Sequence, residues 1–180
     1  MIRMLPLLLF FLLAVMLLLG LQHQEAATKN STAESASQLS QPWPVITVKN
    51  VAGTLVTLDA KQLGGHVTVI NIFASWCEPC KAEMPELVKL HHATQVPFYG
   101  IVWNDTPTAM NAWLKTYGNP FDTVWFDNTG KAAIALGVRG VPETFIVDKH
   151  GMLRYHMMGA ITSEFAAQQI LPLIATLQAE

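Results

Sequence analysis

The feature that most narrows what this chain can fold into is eight residues long. Val67-Thr-Val-Ile-Asn-Ile-Phe-Ala74 is apolar and β-branched almost without interruption, the pattern of a strand covered on both faces rather than one. Such a strand needs layers on each side of it, which places the chain in the α/β class. Upstream, residues 45–49 and 54–58 are short β-rich runs separated by Asn50-Val-Ala-Gly53, and they predict a hairpin. Downstream, the spacing of Met84, Leu87, Val88 and Leu90 predicts a helix over residues 80–94, kinked at Pro85. A strand over 96–103 follows, then a helix that opens at Asp105-Thr-Pro107 and runs to Tyr117, a strand over 123–126 and a short helix over 131–136. Strands at 143–148 and 152–158 flank the turn Lys149-His-Gly151, and a closing helix spans 162–177 with Pro172 interrupting it. After the hairpin the order is β-α-β-α-β-α-β-β-α, which implies a mixed sheet with helices on both faces.

The amino-terminal region is of another kind. The chain has 180 residues, 51% hydrophobic and 13% charged, against about 25% charged in an ordinary soluble domain. Much of the excess lies in the uncharged run from Met4 to Leu21, which follows Arg3. Eighteen apolar residues are just enough for a helix to cross a hydrocarbon core of about 30 Å. No clean pair of small residues follows closely for a signal-peptide cut, so an uncleaved anchor over residues 1–21 is the favoured reading and a cleaved leader the competing one. The positive-inside rule then sends the remainder out of the cytoplasm. Residues 22–41, rich in Ala, Ser, Thr and Gln, read as a flexible tether, and residues 42–180 as one globular domain. The net charge of −2 is unchanged when residues 1–40 are left out, so there is no basic footprint for nucleic acid.

The chemistry is concentrated in Trp76-Cys77-Glu78-Pro79-Cys80, where the buried strand gives way to a helix. Unpaired N–H groups and partial positive charge at a helix start stabilise a thiolate. This predicts Cys77 as the exposed nucleophile and Cys80, one turn further in, as the thiol that closes a disulfide by attacking the mixed intermediate. Other uses of a C-x-x-C pair fit less well. Zinc needs two more ligands, and His91-His92 lacks ligand spacing. Covalent haem needs a histidine at position 81, which is Lys. A structural disulfide over so short a loop removes little unfolded-state entropy. Redox exchange accounts for Trp, Pro and the strand-to-helix setting together, with the Cys77–Cys80 disulfide itself as the redox group and neither cofactor nor metal required.

The W-C-x-P-C motif after a strand, with Gly137-Val-Arg-Gly-Val-Pro-Glu-Thr-Phe-Ile-Val-Asp148 downstream, resembles the thioredoxin fold. Within it, the second motif is similar to the G-V-x-G-x-P-E-T-F-x-[IV]-D signature of the membrane-anchored thiol:disulfide interchange proteins of cytochrome c maturation, the CcmG/DsbE type. The resemblance covers residues 42–180 and agrees with an anchor and tether. It implies that Pro142 is a cis-proline facing the cysteines, that the Val141 backbone pairs with a bound substrate strand, and that Trp76 and Glu143 line the same groove. It further implies a protein of the bacterial inner membrane, single-pass with its domain in the periplasm. Such a protein reduces the C-x-x-C-H disulfides of apocytochromes c, or serves other maturation components, with electrons from a membrane thiol-electron transporter.

One departure from cytoplasmic thioredoxins is Asn71, six positions before Cys77, where those proteins have a buried aspartate. Glu83, three residues after Cys80 on the same helical face, is the candidate to move the proton that Cys80 loses; a solvated helix glutamate is the competing reading. Glu78 adds negative charge that opposes the helix dipole and raises the thiol pKa values. Together with Glu83 and Glu143 it argues for a reductant. Other roles stay open beside this one. A reductase for another extracytoplasmic client fits the same motif, and a copper carrier would draw on the cysteines with His156, Met157 or Met158. A peroxidase lacks its P-x-x-x-T-x-x-C site here, and residues 96–141 leave no room for the inserted helical domain of the large periplasmic oxidants.

Overall fold

The computed structural model describes Leu12, Met16 and residues 36–180. The anchor expected over residues 1–21 lies almost wholly outside them, and among the described residues no helix is long and apolar enough to cross a membrane. Most of the expected tether, residues 22–41, is outside them as well, but its last six residues belong to a strand, β1 (Ala36–Pro42). Ser37–Glu180 forms one compact unit.

Seven further strands follow: β2 (Ile46–Lys49), β3 (Leu55–Leu58), β4 (Thr68–Phe73), β5 (Phe98–Trp103), β6 (Thr123–Asp127), β7 (Glu143–Val147) and β8 (Met152–Met158). They make one mixed sheet in the order β1-β8-β7-β4-β5-β6-β2-β3. β4, β5 and β6 run parallel, while β7 is antiparallel to β4 and β8 to β7. The expected hairpin is β2–β3, with Ile46 opposite Leu58.

All six residues of β4 are buried, because both faces of the sheet are covered. Ile70 and Ile72 point into a cluster with Trp43, Phe145, and Ala132 and Leu136 of helix α4 (Lys131–Leu136). Asn71 and Phe73 point the other way, toward helices α2 (Glu78–Thr94) and α3 (Pro107–Tyr117): Asn71 bonds Glu83, and the Phe73 ring lies 5.8 Å from that of Trp113. Each fully buried Ile or Phe contributes roughly 1.5–3 kcal/mol, so the double cover makes β4 the mechanical centre of the domain. Gly100 in β5 is required by this packing. A Cβ there would sit 2.8 Å from the Phe73 ring and 3.2 Å from Phe121, whose own rings are 4.7 Å apart.

A short helix, α1 (Ala60–Leu63), was not legible in the apolar periodicity. It is held by a capping box in which Asp59 accepts from the Gln62 N–H and Gln62 accepts from that of Asp59. α3 starts at Pro107, with its capping residue just before the proline as the motif suggests. Thr106 caps it through the Ala109 N–H, and Asp105 is used elsewhere. Pro85 lies inside a continuous α2. The closing helix runs as α5 (Ser163–Phe165), a wide π turn (Ala166–Ile170) and α6 (Leu171–Ala179). The π turn stands just before Pro172, whose ring would otherwise crowd the carbonyl four residues back.

Candidate active site

β4 ends at Phe73, and the chain turns through Ser75 and Trp76 into α2. Cys77 is the N-cap residue, extended at φ −89°, and its Sγ accepts the Cys80 N–H at 3.1 Å. Sulfur thus takes the place an oxygen usually holds at a helix start. Pro79 lies in the first turn, where a missing N–H forfeits no helical bond. Cys77 and Cys80 form a disulfide. Cys77 retains the accessible fraction of the pair, 5% exposed against none for Cys80.

The turn before the helix is fixed from α3's side. Ser75 N–H donates to Asp105 Oδ2 at 2.7 Å, and Trp76 Nε1 donates to the Asn104 carbonyl at 3.2 Å. Asn104 adopts a left-handed φ of 50°, which asparagine tolerates. Trp76 is 56% exposed, with its ring 6.4 Å from that of Trp103, and stands beside the disulfide as an open apolar surface.

The loop before β7 faces the disulfide from the other side. The Val141–Pro142 bond is cis. The Val141 carbonyl lies 3.5 Å from Cys77 Sγ; with the sulfur in a disulfide this is a contact, and a Cys77 thiol could donate across it. The Pro142 carbonyl accepts the Gly159 N–H at 2.9 Å, which fastens the loop to the end of β8.

Behind Cys80 lies Glu83, 1% exposed. Asn71 Nδ2 donates to its Oε1 and the Ile161 N–H to its Oε2, each at 3.0 Å, and the same Asn71 amide donates to Thr144 Oγ1 at 3.0 Å. No cation faces it. Burial therefore pushes the Glu83 carboxyl up to about 7, against the lowering effect of the two donors. Asn71 Oδ1 is buried and has no partner among the described residues. Glu83 is thus the buried carboxyl of the two competing readings.

Glu143 is placed differently from its expected position in the groove. It is 2% exposed, its Oε1 accepts the N–H groups of Arg139 at 2.8 Å and Gly140 at 3.1 Å, and its Oε2 meets His156 Nε2 at 2.7 Å. The reason is register. Glu143 follows the cis-proline as the first residue of β7 and pairs with Ile72, so its side chain goes to the face of the sheet opposite Asn71 and Glu83. Glu78 also does less than its position suggests. Its side chain is 83% exposed and paired with Lys81 at 3.2 Å, so solvent and a compensating charge weaken its field at the sulfurs.

Asp105, Asn104 and His156 belong to this site and were not singled out for it by the sequence. Asp105 carried a signal, but only as part of the motif that opens a helix. The copper ligands His156, Met157 and Met158 are divided by the strand alternation of β8, Met157 being buried and its neighbours half-buried on the other face. Among the described residues no three His, Cys, Asp or Glu side chains group as a metal site.

Comparison with known proteins agrees with this architecture. Residues 39–156 match the AhpC/TSA family. The chain is 34% identical to the thiol:disulfide interchange protein DsbE of Allochromatium vinosum, over 96% of this chain and 92% of that one. It is 32% identical to the thiol:disulfide interchange protein HelX of Rhodobacter capsulatus, over 73% and 74% of the two. A secreted thiol-disulfide isomerase from Corynebacterium glutamicum superposes with a TM-score of 0.63, covering 78% of this chain and 92% of its own at 22% identity. The fold is thioredoxin-like.

Proposed function

We propose, for a chain that belongs to the AhpC/TSA family and is a thiol:disulfide oxidoreductase of its interchange-protein branch, the role of a membrane-tethered reductant of apocytochrome c disulfides. The observation that carries the direction is Glu83: a buried carboxyl one turn behind Cys80, with no cation beside it among the described residues and its pKa near neutrality.

In the reduced protein, the Cys77 thiolate attacks one sulfur of the substrate disulfide and expels the other as a thiolate. Cys80 then loses its proton to Glu83 and attacks Cys77 Sγ, which releases the second substrate thiol and leaves the Cys77–Cys80 disulfide. Two electrons pass to the substrate. An ionised carboxylate in so dry a place disfavours a neighbouring thiolate, and dithiols whose anions are disfavoured hold electrons less tightly. Glu83 therefore sets the protein on the reducing side while serving as base. Trp76 and the backbone of Val141 and Pro142 flank the disulfide, where an extended segment would pair with Val141 by strand addition. Glu143 supports that surface from beneath.

The apolar run at residues 4–21 supports an inner-membrane anchor with the domain in the periplasm. There a membrane thiol-electron transporter would re-reduce the disulfide.

The test is the reduction potential of a fragment that begins ahead of β1, read by Trp76 fluorescence in a thiol-disulfide buffer. A value near or below about −270 mV supports a reductant, and one approaching about −120 mV makes the protein an oxidant and ends this reading. The client is tested separately, by comparing rates on oxidised C-x-x-C-H peptides and on disulfide peptides without the histidine.

A further inference from the structure

The loop that faces Cys77 is tied at its start by backbone bonds, Gly137 N–H to the Ile134 carbonyl at 3.1 Å and Val138 N–H to the Ala133 carbonyl at 2.9 Å, and in its middle by a single side chain. Residues 137–140 read Gly-Val-Arg-Gly, and the N–H groups of Arg139 and Gly140 both end on one oxygen, Oε1 of Glu143. The other oxygen of that carboxylate ends on His156 Nε2 at 2.7 Å. An ionised carboxylate can only accept, so with Glu143 ionised the imidazole supplies the hydrogen. The imidazole is in turn aligned by Phe145, on which it stacks at 4.2 Å and 14°, directly across the β7–β8 ladder. A chain of contacts therefore runs from Phe145 through His156 and Glu143 to the Arg139 and Gly140 backbone, and one residue further to the Val141 carbonyl, 3.5 Å from Cys77 Sγ.

We propose that His156 is a positioning residue for disulfide exchange: by fixing the Glu143 carboxylate, it holds the 139–142 backbone at the spacing from Cys77 that an incoming substrate strand requires. Without the imidazole, Glu143 Oε2 is left buried and unpartnered. The carboxylate is then free to turn, and the two N–H groups it gathers are released together. The inference rests on the exchange chemistry of Cys77 and Cys80 and is independent of the client.

The experiment compares wild type with His156→Phe, which keeps a ring against Phe145 but no donor, and His156→Gln, which keeps an N–H at a similar reach. Each is assayed for steady-state reduction of a disulfide-containing peptide and for its redox equilibrium with glutathione. His156→Phe is expected to raise KM about tenfold with kcat changed less than threefold, and to move the glutathione equilibrium constant severalfold. His156→Gln is expected to recover KM to within about twofold of wild type. Thermal unfolding separates positioning from loss of fold. Equal KM in wild type and His156→Phe, or equal loss in both variants, overturns the proposal. Neither result bears on the reductant reading, which the wild-type potential decides alone.

Discussion

Two buried carboxylates lie on opposite faces of one sheet, Glu83 one turn behind Cys80 and Glu143 bonded to the loop that faces Cys77, and the difference in how they are held separates chemistry from scaffolding. Glu83 sits on the α2 face with two neutral donors, the Asn71 amide and the Ile161 N–H, and no counter-charge among the described residues. Glu143 sits on the opposite face with two backbone N–H groups and a histidine. A carboxylate short of compensation has a pKa displaced into the range where it exchanges protons, as Glu83's is at about 7. A carboxylate that gathers three donors fixes the groups around it. The adjacent pairs Asn71–Thr144 and Ile72–Glu143 on the β4–β7 ladder produce this division, since neighbours along a strand face opposite ways.

Substitution of the cysteines tests the comparison most severely. Cys77→Ser and Cys80→Ser should each lower turnover about a thousandfold or more, but differently: Cys80→Ser should accumulate a mixed disulfide through Cys77, visible by mass spectrometry, and Cys77→Ser should not. A mixed disulfide trapped through Cys80 instead would reverse the roles assigned to the two cysteines.

Next comes Glu143→Ala, which orphans two backbone N–H groups and the imidazole. Denaturant unfolding should show a loss of about 3 kcal/mol. A loss below about 0.5 kcal/mol would mean that Glu143 is not the scaffold of the loop.

Glu83→Gln should slow resolution of the mixed disulfide about a hundredfold in stopped-flow fluorescence. The same substitution tests a stability effect whose sign follows from the raised pKa. The folded protein binds a proton that the unfolded chain, near 4.5, has already released, so the contribution is complete below about 4.5 and is lost as pH rises to about 7. The loss is on the order of 3 kcal/mol, and Glu83→Gln should flatten that part of the pH profile. An unchanged slope in the variant would place the titration elsewhere.

Trp76→Ala should have the smallest effect. Its ring is more than half exposed, so stability should stay within about 0.5 kcal/mol while KM for a peptide disulfide rises a few-fold. A stability change larger than that would move Trp76 from the binding surface into the scaffold.

The sequence carried the central elements because their signals are local. The unbroken apolar run of β4, the Pro-marked first turns of α2 and α3, and the β7 and β8 patterns each report their own surroundings, and Lys131–Leu136 and Met152–Met158 match the expected bounds. β1 was lost because Ala36–Pro42 is polar and small; only pairing beside β8 makes a strand of it. Helix α1 was lost because four residues hold no periodicity, and its capping box is the sole local sign.

At the site the division is sharper. The residues themselves determined the cysteine pair, its place at a helix start and a carboxyl one turn behind Cys80, since these follow from spacing along the chain; the proline opposite was implied only by the family resemblance of its motif. That Glu83 is left short of compensation while Glu143 braces the loop was decided only by tertiary structure. That outcome depends on strand register, which sends Glu143 to one face and Asn71 to the other, and on partners distant in sequence: Ile161 for Glu83, His156 for Glu143, Asp105 for Ser75. Burial and hydrogen-bond partners set a pKa and a loop's rigidity, and both are properties of the packed chain rather than of any segment of it.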